Sequence, residues 1–114
     1  MNLSPNPSLA WLVLFAAGAL EIVWSLSMKA SDGFTRSTYT AITIAAAWLS
    51  FWLLGLSLKA LPVGTAYAVW TGIGAVGAAV LGVVLFNEPA SASRIACIAL
   101  IVVGIAGLKL AGGQ

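Results

Sequence analysis

The apolar residues of this chain fall in four long runs. Neither the narrow periodic stripe of a soluble helix nor the alternation of a half-buried strand is present. The runs cover about residues 9–28, 37–58, 65–86 and 92–110. Each is close to the roughly 20 apolar residues that a helix needs to cross a bilayer. Polar residues separate them. Ser8 is the expected N-cap of the first helix, after a polar lead over residues 1–8. Ser31, Asp32 and Gly33 supply a turn after Lys29, and Lys59, Pro62 and Gly64 mark a tight second connection. Asn87, Glu88 and Pro89 close the third run, and residues 111–114 read as a frayed tail. The pattern predicts an all-α membrane protein, a single four-helix transmembrane domain over residues 1–114. Its connections are too short to cover a site, and no repeat relates its halves.

Composition narrows the function. The chain has 114 residues, 61% hydrophobic and 7% charged, with a mean hydropathy of +1.07. A soluble domain carries roughly a quarter charged residues, so that class is excluded. Little chain remains to hold an enzyme site, and no enzymatic activity is expected. With no His and a single Cys97 in an apolar run, an internal disulfide, a metal cluster and a Cys–His nucleophile are all unavailable. The net charge of +2 forms no basic stripe, so nucleic acid is not an expected partner. Ala17-Gly18-Ala19 looks like a signal-peptide cleavage site. Yet the preceding lead has no Lys or Arg and the run continues past it, so the first run is expected to remain as a span.

Within that run stands Glu21, about 18 Å along a helix counted from Leu9 and hence near mid-bilayer. A comparable acid at that depth costs roughly 2.5–3.5 kcal/mol on insertion scales, which makes Glu21 a functional candidate. The plainer alternative is a protonated Glu that only bridges two helices. On the same face lie Ala17, Gly18, Trp24, Ser25 and Met28. Small residues there admit a neighbouring backbone, and Trp24 brings an indole N–H. Ser50 of the second run carries a hydroxyl at mid-depth. Tyr67, Trp70, Thr71 and Gly74 share one face of the third. Together they offer donors for a carboxylate and aromatic walls for a cavity, although ordinary packing or an interfacial belt also produces such aromatic pairs. A carboxylate out of water is costly in its charged form, so it is expected to hold either a proton or a cation. Guanidinium suits it, because its planar fork pairs with carboxylates and stacks on rings.

Charge also bears on orientation. Lys59 and Lys109 fall on the side of the termini, against Lys29, Arg36 and Arg94 on the other. A difference of one barely sets a preference. Insertion both ways would give an antiparallel homodimer with the inverted symmetry many transporters use. A weak bias completed by a cellular factor is an equal alternative. Gly72, Gly74 and Gly77 spell G-x-G-x-x-G, but no strand precedes them and they lie mid-membrane, so the nucleotide reading fails. They suit close helix packing or a helix soft enough to bend. Ala96, Cys97, Gly104 and Gly107 form a small-residue seam on the fourth run, with Cys97 a packing residue.

Four stretches make the chain resemble the small multidrug resistance transporters, most closely their guanidinium exporter subtype. They are Glu21-Ile22-Val23-Trp24, Gly33-Phe34-Thr35-Arg36, Ser50-Phe51-Trp52-Leu53-Leu54, and the long Leu61-Pro62-Val63-Gly64-Thr65-Ala66-Tyr67-Ala68-Val69-Trp70-Thr71-Gly72-Ile73-Gly74. The resemblance covers nearly all of the chain after residue 8. It implies a dual-topology, antiparallel homodimer, multi-pass in a prokaryotic inner (plasma) membrane. Such a protein exports guanidinium-type cations in exchange for protons by alternating access, with protons as coupling ion and no cofactor. It implies further that Glu21 is the shared proton and substrate site, with Gly18, Trp24, Ser50, Phe51, Tyr67 and Trp70 around it. Gly72, Gly74 and Gly77 match the conformational hinge, and Cys97 and Gly104 the dimer contact, where some members have glycine at Cys97. Trp24, Lys59 and Lys109 favour the guanidinium subtype. Quaternary-ammonium multidrug exporters of the family usually carry a small residue in place of Trp24. Two alternatives stand beside this reading: a broad multidrug exporter, and a non-transporting membrane subunit with Glu21 as proton relay.

Overall fold

Helix α1 spans Pro7–Ala30. Its N-cap is Asn6, and Ser8 lies inside the first turn. Asn6 Oδ1 accepts a hydrogen bond from the Leu9 amide at 3.2 Å. Pro7, whose φ is preset and whose missing N–H is not needed there, occupies the first helical position. The computed structural model describes residues 6–111, so the lead over 1–5 and the tail over 112–114 lie outside the described residues. Helices α2 (Ser37–Ser57), α3 (Val63–Phe86) and α4 (Ala92–Ala111) follow. Each of the four is long and apolar enough to cross a membrane. The protein is thus an all-α membrane protein with four transmembrane helices.

The connections follow local chemistry. After α1, Asp32, Gly33 and Phe34 all take positive φ. Ser31 ties this turn together: its hydroxyl donates to the Met28 carbonyl at 2.7 Å and accepts from the Phe34 amide at 3.0 Å. Between α2 and α3, Pro62 is the N-cap, so Gly64 falls inside α3 rather than in the turn. Asn87, in the left-handed region at φ 55°, ends α3.

Helix α1 is central. It packs along both α2 and α3, while the backbone of α4 approaches α3 alone among the described residues. The core consists of Ala10, Trp11, Leu14 and Ala17 of α1 with Leu61, Ala66, Val69 and Trp70. The α1 members recur at three- and four-residue spacing and so share one face. Buried positions of α2 are small: Thr43, Ala46, Ser50 and Ser57. Small residues let helices approach closely where lipid removes the hydrophobic drive for association. Helix α4 has no buried residue at all. The helices form a flattened body of 42 × 35 × 16 Å, in the order α2, α1, α3, α4 across it.

Candidate functional site

Glu21 projects from the α1 face that packs on α3. Its carboxylate lies against Gly74, where a Cβ would overlap it. Glu21 Oε1 is enclosed and accepts no hydrogen bond from any described residue. One turn further along α1, the indole Nε1 of Trp24 is likewise buried without a partner. The acid and its nearest aromatic donor therefore sit in one place with unsatisfied polar atoms.

The aromatic residues expected of the site form one run that begins at Trp24. Four rings run in sequence: Trp24 to Phe51 at 6.3 Å between centroids, Phe51 to Trp70 at 5.4 Å, and Trp70 to Tyr67 at 5.6 Å, all tilted. Trp70, between Phe51 and Tyr67 in this run, is buried, whereas those two neighbours are more than half exposed. Ser50 has a different arrangement from the one expected. Its hydroxyl donates to the Ala17 carbonyl at 2.7 Å and accepts from Trp70 Nε1 at 3.0 Å. A hydroxyl has one hydrogen, and Ala17 has it, so Ser50 gives Glu21 no bond in this conformation. It locks three helices together around the site.

Glycines make the close approach possible. A Cβ at Gly18 would come within 2.7 Å of Ile73, one at Gly72 within 2.8 Å of Ile105, and one at Gly77 would overlap Ile22. Helix α3 runs unbroken through Gly72, Gly74 and Gly77, each receiving a neighbouring side chain. Cys97 is exposed, and nothing lies within 4 Å of a Cβ built at Gly104, so this seam of α4 faces outward from the single chain.

Three features went unread in the sequence. The Ala17 carbonyl, as the acceptor of Ser50, is one. Another is Trp11, buried with Lys109 Nζ 5.0 Å above its ring. The third is the ion pair of Arg94 and Glu88, 2.8 Å apart, at the α3–α4 connection. Only the last had a signal, opposite charges flanking a helix break.

Comparison with known proteins follows the same lines. The family model of the Small Multidrug Resistance protein matches residues 9–101. A guanidinium exporter of Escherichia coli (strain K12) is 55% identical over 102 residues, covering 90% of this chain and 97% of its own. Those of Yersinia pestis and Proteus vulgaris are 54% and 52% identical over 103 residues, covering 90% of this chain and 99% of theirs. With its four apolar helices and a match over most of its length, the chain belongs to the small multidrug resistance family.

Proposed function

We propose that this protein exports guanidinium and related small guanidinyl cations across the bacterial inner membrane in exchange for protons. It works as an antiparallel homodimer by alternating access, needs no cofactor beyond the coupling proton, and carries out no covalent chemistry. The observation that carries the reading is Glu21: an enclosed carboxylate oxygen without a hydrogen-bond partner, within a span and beside a run of four aromatic rings. Such an oxygen is stable only when neutralised, by a proton or by a cation that donates to it. The two occupants exclude each other, and a shared site of this kind is the minimal requirement for coupled exchange. The names and high identity of the relatives support guanidinium as the cargo. So does the chemistry of the aromatic residues near the acid. The ring of Trp24, one turn from the acid and in contact with Phe51, offers a planar cation a face to stack on while its N–H groups reach the carboxylate.

A second copy has a place to dock. Helix α4 buries nothing within one chain, and its small residues, Cys97 and Gly104 among them, face outward. The near balance of Lys and Arg on the two sides permits insertion both ways, which brings two Glu21 residues to one cavity. Gly72, Gly74 and Gly77 would let α3 bend differently in the two copies.

The test is transport by the purified protein in proteoliposomes under a pH gradient, offered guanidinium or a bulky aromatic cation. Guanidinium uptake coupled to proton movement is expected, with Glu21→Gln inactive although inserted normally. Uptake of the bulky cation alone would replace guanidinium by a multidrug cargo. Normal exchange by Glu21→Gln would overturn the mechanism, and no cation movement by the wild type would favour a non-transporting subunit.

A further inference from the structure

We infer that Glu88 is a second, outer guanidinium-binding site, held in this conformation by the chain's own Arg94 guanidinium and opened to cargo when Arg94 withdraws. The inference rests on the guanidinium cargo proposed above. The Arg94 guanidinium finds three acceptors. Its Nη2 meets Glu88 Oε1 at 2.8 Å and the Ala79 carbonyl at 3.5 Å, and its Nη1 meets the Pro89 carbonyl at 3.1 Å. Guanidinium offers only N–H donors in a planar fork, so one carboxylate with two carbonyls around it is a receptor for that group. Arg94 is the guanidinium that fills it.

Two further features point to a ligand site rather than a surface ion pair. An open cavity of about 230 Å³ adjoins the pair, lined by Ser25, Lys29, Gly82 and Phe86 with Glu88 and Arg94 themselves. It has room for a small planar cation, and Phe86 offers a ring. The carboxylate of Glu88 also rests on Gly82, where a Cβ would overlap it, as that of Glu21 rests on Gly74. The two glycines are eight residues apart on α3, about 12 Å along the axis. The cavity lining includes Ser25, one turn from Glu21 on α1. The cavity thus lies between the outer end of α3 and the buried acid, where a cation would halt before reaching Glu21.

Binding of radiolabelled guanidinium to the full chain in lipid nanodiscs tests this. In a Glu21→Gln background, which removes the inner site, adding Arg94→Ala is expected to tighten saturable binding by about tenfold or more, because an intramolecular competitor is gone. Adding Glu88→Gln should then abolish it. Arg94→Lys keeps the charge, lacks the fork and should give a smaller gain in the same direction, which covers the case that the alanine variant does not fold. If both Arg94 variants bind no tighter than Glu21→Gln alone, or if binding survives Glu88→Gln, the outer site is refuted. Loss of wild-type exchange in Glu21→Gln tests the proposed transport, whereas the binding series in the Glu21→Gln background tests Glu88, so the two readings fail separately.

Discussion

The Ser50 hydroxyl has one hydrogen to give and one bond to accept. In this conformation the hydrogen goes to the Ala17 carbonyl, while Trp70 donates to the same oxygen. Glu21 Oε1 and Trp24 Nε1 are left buried without partners among the described residues. The serine joins α1, α2 and α3 through one oxygen. Ser50→Ala removes the acceptor of a buried indole and the donor to a buried carbonyl. It should lower stability by about 1–2 kcal/mol, seen as a lower unfolding midpoint in detergent or lipid. Transport should fall as well, because Trp70 loses the bond that fixes its ring beside Phe51.

At the scale of the element, α3 is a notched rod. Gly74 accommodates the carboxylate of Glu21, Gly77 accommodates Ile22 and Gly82 accommodates Glu88. Gly74→Ala separates helix propensity from this fit. Alanine favours an isolated helix by about 1 kcal/mol over glycine, yet here its Cβ would overlap the acid. Guanidinium exchange should drop by about tenfold or more while helix content by circular dichroism is unchanged or slightly higher. Unimpaired exchange would mean that the carboxylate need not sit against α3.

The four crossings were legible in the sequence because a long apolar run has one stable form in lipid, a helix that satisfies its own backbone. Glu21 was legible because nothing else in its run is charged. Ser50 and its true acceptor were not. They are 33 positions apart, and their meeting depends on the rotation of two helices that are apolar on nearly every face and carry little rotational signal. Gly64 was misplaced because Pro62, which caps a helix well from outside, reads equally as the middle of a turn.

Across the whole molecule the helices lie as a body only 16 Å thick, with α4 on the edge beyond α3. If two copies insert in opposite senses, a cysteine at Gln114 in a Cys97→Ala background should be labelled by impermeant maleimide from both faces of the membrane. Labelling from a single face would remove the antiparallel dimer. The bare edge helix has one more consequence. A helix with no buried residue is fastened within its own subunit by little more than a single neighbour, so if the proposed second copy docks on it, that copy supplies much of its anchoring. Stability then obeys mass action, and the concentration that matters is the ratio of protein to lipid. Diluting the protein with added lipid should lower its thermal midpoint, and α4 should be the first helix to lose protection against hydrogen exchange.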